Sequence, residues 1–461
     1  MTSKNKAPRV RTLADLATDK DNLFYDGYVK GIAEFIKECA TPTTIAIQGD
    51  WGSGKTSLIN LLDAELRAES EIADDELAES EIANDKPAED DTADDGFIET
   101  KPAKSGSALA AEYCEDIIGV AAIDAWQQSV ANPQSSLLEN LLVEMLLKLS
   151  GVKREDMEGL ASLVSAVSTI MGTGSNKKEM AKDDSLLGTI FDSIFGSEGN
   201  QKAEYKDEFI SSKDIEDFRI EFSGALQRAA QKSGKSRDSR LVVFVDGLDH
   251  VDPEACITLM EQVKTYLDCP RCVFVYAIDE RTVYDGVRKK LGDKVDEGRK
   301  KMFFEKLVRV PLRIPTSVYN LEKYIEVLLK DDQDLSGAYA KVISTLMDNP
   351  TPLSIKRFIN TLYLYRSVFG EVGSADTSTL DMLLAAVILE IESTQGFNTV
   401  ADCVKGDEAT FEERLKEAQG SLSHEGHINW HKLPTLWHGE DGASVDAAKR
   451  DAFISWVCKL K

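Results

Sequence analysis

Residues 45–56 read IAIQGDWGSGKT, and helical periodicity resumes directly afterwards in SLINLL, residues 57–62. The first part is a short apolar β-like run, and the middle satisfies the pattern G-x-x-x-x-G-K-[ST]. A strand, a glycine-rich loop and a helix are therefore predicted to follow one another. This order is the context in which a loop of backbone N–H groups can surround a phosphate group.

Each fixed position of this loop has a chemical reason. Its glycines let backbone N–H groups turn inward where a Cβ atom would obstruct them. Lys55 supplies a mobile positive charge for the β- and γ-phosphates, and Thr56 offers a hydroxyl to a magnesium ion. The residues predicted to contact the nucleotide are Gly49, Asp50, Trp51, Gly52, Ser53, Gly54, Lys55, Thr56, Ser57 and Asp279.

A second protein group for the metal is predicted at the end of another strand. Residues 241–246 read LVVFVD, an apolar run that indicates a buried strand ending at Asp246. Asp246 is therefore the predicted partner of Thr56 at Mg²⁺. Hydrolysis also needs a group that orients and deprotonates water, and Asp249 is the nearest acid for this task. The alternative is that Asp249 is a helix cap or a loop acid.

A further acid, Asp279, follows the apolar run of residues 273–278. In a parallel sheet it should emerge at the same carboxyl edge as the glycine-rich loop, where ligands gather. We expect Asp279 to sense the γ-phosphate. A plain N-cap for the helix that starts near Arg281 is an equal alternative, and the two are compatible.

The order of elements predicts an α/β fold with a doubly wound, mainly parallel sheet and a helical C-terminal subdomain. Apolar strand-like runs alternate with helical stretches up to about residue 315, which favours right-handed βαβ crossovers. The predicted organisation is an N-terminal helix and loop (1–62), an acidic low-complexity insertion (63–106), the remainder of the core (107–315) with a variable helical insertion at about 150–235, a helical subdomain (316–395) and a C-terminal extension without an assigned fold (396–461).

The charge of the chain argues against nucleic acid as a partner. The formal net charge of the 461 residues is -26, and residues 65–99 alone hold fifteen acidic side chains against two basic ones. This field opposes generic attraction to a phosphate backbone. The most apolar stretch, residues 159–172, is too short and too rich in serine to span a membrane. With seven scattered cysteines and no secretory signal, the sequence predicts a cytoplasmic protein with reduced thiols.

Two other constellations have weaker functional interpretations. Residues 281–309 hold ten basic against five acidic side chains, so Arg288, Arg299 or Arg309 could reach the phosphates of a neighbouring subunit. An exposed helical face is the alternative. Cys269 and Cys272 have C-x-x-C spacing, but one such pair is half a zinc site, and a structural turn is the preferred interpretation.

Together these motifs resemble the KAP family of P-loop NTPases, which is related to the STAND signalling ATPases. Trp51 stands where the family's loop has tryptophan, and residues 123–126 (IDAW) are similar to its Phe-Asn-Ala-Trp element. The other similar segments are residues 21–23, 245–250, 276–280, 304–311 and 351–360.

The resemblance also has departures. Residues 245–250 read VDGLDH, so Gly247 replaces an acid of the family's DDLDR block and His250 replaces its arginine. Asp249 is then the remaining catalytic carboxylate, and the NACHT branch of STAND proteins stays open as the subfamily. The similarity of residues 351–360 to a segment of the family implies that Arg357 is a catalytic sensor of the phosphates. An exposed charge on an amphipathic helix is the alternative for Arg357.

The resemblance implies a Mg²⁺-dependent ATPase that acts as a nucleotide-controlled switch or assembly subunit. It further implies a homo-oligomer with protein partners encoded nearby, in a soluble bacterial system of the phage-exclusion or anti-phage kind. ATP is expected over GTP, and no N-K-x-D element is present. The second hypothesis is a nucleotide-binding scaffold that hydrolyses little. A small-molecule kinase is disfavoured because no lid or acceptor-pocket signature is found.

Overall fold

The structure is a computed structural model of the chain. It describes most of the residues that lie outside two long segments, 68–116 and 146–211. The described residues are 13, 20–67, 117–131, 137–138, 140–142, 145, 212–232, 234–292, 294–314, 316–329, 333–347, 350–369, 377–404, 408–422, 427–438 and 445–461. The predicted acidic insertion beyond residue 67 and the predicted variable insertion before residue 212 therefore lie outside the described residues. Two compact units are present: a sheet unit (27–49 and 55–314) and a helical unit (1–26, 50–54 and 315–461).

Among its described residues, the sheet unit is built on five strands. They are β1 (Thr43–Gln48), β2 (Ile117–Asp124), β3 (Arg240–Asp246), β4 (Cys272–Ile278) and β5 (Val310–Arg313). Their order is β2-β3-β4-β1-β5, and every pair is parallel. All residues of β1 and β4 are buried, as expected for central strands covered on both faces. The predicted parallel α/β sheet is confirmed.

Helices follow the strands in the order that βαβ crossovers require. They are α1 (Asp26–Glu38), α2 (residues 55–67), α3 (Ala125–Ala131), α4 (Ser212–Lys232), α5 (Pro253–Tyr266), α6 (Glu280–Leu291) and α7 (Glu297–Leu307). Helix α5 shows why these residues start a helix: the Asp252 carboxylate accepts the Glu254 N–H, and Pro253 occupies the first helical position. The apolar sides of helices α3 to α7 bury one common core with β2, β3 and β4.

Strand β5 was not predicted from the sequence. It lies at the edge of the sheet, where Ile45 to Gln48 of β1 pair with Val310 to Arg313. Pro311 lacks a backbone N–H, which disfavours a central strand but is tolerated at an edge. The run is also only four residues long and alternates between half-buried and exposed positions, so its apolar signal is weak.

The helical unit contains seven helices among its described residues, namely α8 (Leu321–Leu328), α9 (Gln333–Leu346), α10 (Pro352–Val368), α11 (Thr377–Glu392), α12 (Thr394–Cys403), α13 (Glu408–Leu422) and α14 (Ala447–Leu460). The prediction that helices dominate beyond residue 315 is confirmed. Helices α12 to α14 and a 3₁₀ turn, Trp430–Leu436, occupy the extension to which the sequence assigned no fold. Within the described part of the chain, none of the helices is both long enough and apolar enough to cross a membrane.

Candidate functional site

The candidate site lies at the carboxyl edge of the sheet. Because the strands are parallel, β1, β2, β3 and β4 all end at this edge. The glycine-rich loop begins there, since the Gly49 N–H donates to the Ile278 carbonyl at the end of β4 (3.3 Å). Asp246 and Asp279 follow at the ends of β3 and β4, as the sequence predicted. This edge is where α/β sheets bind their ligands.

Two of the residues predicted to be catalytic, Lys55 and Asp249, are in direct contact. The Lys55 Nζ lies 3.0 Å from Asp249 Oδ2 and donates to the Gly49 carbonyl at 2.9 Å. Only 7% of the Lys55 side chain and 10% of the Asp249 side chain are exposed, so both charges are largely removed from water. Asp249 does not cap α5, because Asp252 does. Its carboxylate instead holds the loop lysine.

The predicted metal-binding pair also meets. The Thr56 hydroxyl donates a hydrogen bond to the Asp246 carboxylate, and the Gly247 N–H donates to Asp246 Oδ1 at 2.8 Å. Burial raises the pKa of Asp246 above its usual range, and the neighbouring carboxylates of Asp249 and Asp124 act in the same direction against those hydrogen bonds. Asp246 is thus a partly buried acid among other acids, which is an environment that attracts a cation.

The residues present fit a magnesium ion. A threonine hydroxyl and a carboxylate are hard oxygen donors of the kind that Mg²⁺ prefers, and Thr56 is exposed. In the described part of the chain no three acidic, histidine or cysteine side chains form a complete protein cage. Mg²⁺ usually binds through one or two protein oxygens together with water and substrate phosphates, so such a cage is not required.

Asp279 caps α6, which confirms the N-cap alternative. Its Oδ1 accepts the Arg281 N–H at 2.9 Å, and its Oδ2 pairs with the Arg281 guanidinium at 2.7 Å. Partial burial would raise the pKa of Asp279, but the hydrogen bonds and charge of Arg281, aided by the charge of Lys55, hold it below its usual range. Asp279 therefore stays ionised near Lys55, and its sensing of phosphate remains a prediction.

The loop tip, residues 50–54, is anchored within the helical unit. The Tyr319 hydroxyl donates to the Ser53 carbonyl at 2.8 Å, and the Leu353 N–H donates to the Gly52 carbonyl at 3.4 Å. Gly52 and Gly54 adopt positive φ values of 73° and 98°, which L side chains rarely adopt. Glycine is thus required by the backbone at positions 52 and 54. The Trp51 side chain is 64% exposed.

Arg357, the predicted sensor, lies one turn into α10. The Thr351 side chain caps this helix at the Ser354 N–H, and Pro352 begins it. Arg357 itself is exposed, while Ile355, Phe358 and Ile359 on the same helix are fully buried. This is the amphipathic placement that the alternative interpretation expected. The role of Arg357 toward phosphate stays a prediction.

A set of side chains at the end of β2 was not predicted as part of the site. Asp124 is the cross-strand partner of Asp246, and its charge acts on the Asp246 carboxylate. Trp126 follows two residues later and packs edge-on against His250, with ring centroids 6.0 Å apart. The sequence signal was an acid that closes an apolar strand in residues 117–124, the same signal that identified Asp246.

Two of the arginines that could reach a neighbouring subunit, Arg288 and Arg309, have structural partners in this chain. Arg288 pairs with Asp285 on an exposed face, whereas Arg309 contacts Asp268 (3.2 Å) and the Pro42 carbonyl. The Arg309 backbone N–H donates to the Thr44 carbonyl at the start of β1. Arg309 therefore lies at the amino edge of the sheet, away from the carboxyl ends of the strands. Cys269 and Cys272 are buried in the turn before β4, where the Cys272 N–H donates to the Cys269 carbonyl. The predicted structural turn is confirmed.

A five-stranded parallel sheet with a glycine-rich loop, a following helix and a strand-end aspartate at its carboxyl edge defines a P-loop NTPase fold. The KAP family P-loop domain matches residues 25–369. The chain belongs to this family, which confirms the resemblance found in its motifs. The family is a nucleotide-binding one, and its match covers both the loop and the Asp246 strand.

Two further comparisons add little. No curated protein matches the chain. Among solved structures, the ORC2 protein of Aeropyrum pernix, in its ADPNP–ADP complexes, is similar with 10% sequence identity and a TM-score of 0.31 over 94% of each chain. A TM-score this low carries no argument about fold or function.

Proposed function

We propose that this protein binds ATP together with Mg²⁺ and hydrolyses it to ADP and phosphate. The observation that carries the proposal is the position of Lys55, held 3.0 Å from Asp249 at the edge where Thr56 contacts Asp246. A mobile cation, a hydroxyl and two carboxylates with different partners are the groups that phosphoryl transfer to water requires.

The proposed chemistry assigns each group a task. Lys55 leaves Asp249 for the β- and γ-phosphates, and Mg²⁺ held at Thr56 and Asp246 would offset the phosphate charge. Asp249 then orients a water molecule and accepts its proton as the water oxygen bonds to the γ-phosphorus. The bond between that phosphorus and the β,γ-bridging oxygen breaks, and ADP takes up the electron pair. Asp279 and Arg357 are proposed to sense the γ-phosphate.

The experiment is single-turnover hydrolysis of ATP by the wild type and by Asp249→Asn. We expect the variant to be slower by about 10²- to 10⁴-fold, the usual contribution of a positioned base. Asp252→Asn is the matched control, because Asp252 lies three residues further on but is exposed, pairs with Lys289 and caps α5. Equal rates for wild type and Asp249→Asn would reject the assignment of Asp249.

One observation favours a second candidate function, a nucleotide-binding scaffold that hydrolyses little. Asp249 is already engaged by Lys55, and Gly247 stands where the family's block after this strand has a second acid. A scaffold would bind ATP as tightly as the ATPase but would return the same slow rate for wild type and Asp249→Asn. The experiment above therefore separates the two functions.

The biological part of the proposal is a nucleotide-controlled switch or assembly subunit in bacterial anti-phage defence. It is supported by the resemblance of the motifs to soluble KAP proteins, and it includes self-assembly and partners encoded nearby. The test is phage plating on cells that express the chain with its neighbouring genes. We expect protection that Lys55→Ala abolishes at equal protein level. Protection that survives Lys55→Ala, or no protection by the wild type, would reject this role.

A further inference from the structure

Asp124 closes β2 beside the proposed ATPase site. Strands β2 and β3 are parallel neighbours, and Asp124 pairs with Asp246 at the last position of their register. Paired residues of neighbouring strands project from the same face of a sheet. The two carboxylates are therefore adjacent at the edge where Thr56 contacts Asp246.

The Asp124 carboxylate occupies the space beside Gly247, the residue that follows Asp246. Gly247 has a φ of 70°, and a Cβ atom added there would lie 2.6 Å from Asp124 Oδ1 and 3.4 Å from its Cγ. The Asp124 carboxylate thus fills the place that a side chain at position 247 would occupy. The loop after β3 therefore has a glycine, Gly247, next to the space that the Asp124 side chain at the end of β2 fills.

The orientation of Asp124 is fixed by the helix that follows it. Its Oδ1 accepts the Gln127 N–H at 2.9 Å, which caps the first turn of α3. Asparagine or serine would cap this helix as well as aspartate does, so capping does not require the negative charge. Adjacent like charges on neighbouring strands are unfavourable unless a cation lies near them.

We propose that Asp124 is a positioning residue of the ATPase site, whose carboxylate adds a second negative charge beside Asp246 and so strengthens binding of the Mg²⁺ that accompanies the nucleotide. The inference rests on the proposed function and adds a residue to it. It also accounts for Gly247, because one carboxylate beside Asp246 is provided by β2 in place of the loop after β3.

The test measures nucleotide binding, not turnover. A fluorescent non-hydrolysable ATP analogue is titrated at a series of Mg²⁺ concentrations, and the Mg²⁺ midpoint of its affinity is read out. Asp124→Asn keeps the size and the helix cap but removes the charge. We expect it to raise the midpoint about 5- to 10-fold, as loss of one nearby charge should. A rise of less than threefold overturns the proposal.

Two further variants separate charge from structure. Asp296→Asn, at the N-cap of α7, makes the same change of carboxylate to amide outside the site and should leave the midpoint unchanged. In the double variant Asp124→Ser/Gly247→Asp, serine keeps the cap while the carboxylate moves to position 247, where aspartate tolerates a positive φ. We expect the midpoint to return to within threefold of wild type. If the double variant folds but its Mg²⁺ midpoint equals that of Asp124→Asn, then a carboxylate at position 247 does not replace the one at position 124, and this part of the proposal is wrong.

Failure of this inference is distinguishable from failure of the proposed function. If the wild type binds the analogue with a clear Mg²⁺ midpoint and Asp124→Asn does the same, only the role of Asp124 is wrong. If the wild type shows no Mg²⁺-dependent binding, the proposed ATPase site itself is wrong and Asp124 loses its role with it. Thermal unfolding of each variant verifies that it is folded at the temperature of the titration.

Discussion

The Lys55 ammonium group forms an ion pair with the Asp249 carboxylate at 3.0 Å, so the loop lysine and the proposed base are each other's partner. A triphosphate would have to take Lys55 away from Asp249 before Asp249 could accept a proton from water. Both side chains are largely buried, so water screens the attraction between their charges only weakly. Nucleotide binding and release of the base are therefore coupled through one ion pair.

This coupling predicts opposite effects of Asp249→Asn on binding and on hydrolysis. The amide attracts Lys55 less than the carboxylate does, so ATP should bind at least as tightly as to wild type and up to about 10-fold tighter. Hydrolysis should fall at the same time. Equilibrium binding of a fluorescent ATP analogue, measured beside single-turnover rates, provides both numbers. Weaker binding with an unchanged rate would mean that Asp249 only supports the loop.

Gly247 provides a test of the packing at the site. In Gly247→Ala the new Cβ would meet Asp124 Oδ1 at 2.6 Å and the Trp126 N atom at 3.3 Å, in addition to the strain of a φ of 70°. We expect the free energy of unfolding to fall by about 2–4 kcal/mol. Gly234→Ala is the control, because Gly234 has nearly the same φ of 69° with nothing within 4 Å of a Cβ. Equal losses in urea unfolding would contradict the contact with Asp124.

A second pair of glycines tests the contact between α5 and α6. A Cβ atom at Gly286 would overlap the Pro253 carbonyl and lie 2.6 Å from Ile257 Cγ1, whereas a Cβ at Gly31 on α1 meets nothing within 4 Å. Gly286→Ala should therefore destabilise the protein by about 1–3 kcal/mol, since overpacking against backbone is not relieved easily. Gly31→Ala should stabilise it by about 0.5–1 kcal/mol through helix propensity. Thermal unfolding measures both changes, and the same sign for both would contradict the packing.

The cysteines should differ sharply in their reaction with a thiol reagent at pH 8. Burial raises the pKa of Cys256 and of Cys269 to about 12, and it raises the pKa of Cys272 well above the usual range, so few thiolates form. Cys458 is exposed on α14. Alkylation of the native protein followed by peptide mapping should therefore label Cys458 first and leave these three unmodified until unfolding. Fast labelling of Cys269 or Cys272 would show that the turn before β4 opens.

The sequence predicted the strands and the positions of the main site residues for definite physical reasons. Continuous apolar runs such as residues 241–245 are typical of buried strands between covered faces, and an acid that ends one emerges at the ligand edge of a parallel sheet. Edge strand β5 was not predicted because it is short, alternates between half-buried and exposed positions, and contains Pro311. The contact between Lys55 and Asp249 was not predicted because the two residues are nearly two hundred positions apart in the sequence. Whether they meet depends on the order of β1, β4 and β3 in the sheet.

The relation between Asp124 and Gly247 was hidden for a related reason. Each position departs from the family pattern, and in the sequence the two departures are unconnected changes. Only the parallel register of β2 with β3 shows that the side chain of one fills the space left by the other. The end of a strand fixes which edge a residue reaches, but the space around it is set by neighbours that are remote in the chain.

In the proposed function, the Lys55 loop and the end of the Asp246 strand form one site for a nucleotide and its magnesium ion. The most direct measurement is equilibrium binding of a fluorescent ATP analogue, with and without Mg²⁺, to wild type, Lys55→Ala and Asp246→Asn. We expect Mg²⁺-dependent binding by wild type, a loss of about 100-fold or more in affinity in Lys55→Ala, and weaker binding that no longer responds to Mg²⁺ in Asp246→Asn. Binding by Lys55→Ala that equals wild type, or an unchanged Mg²⁺ response in Asp246→Asn, would contradict it.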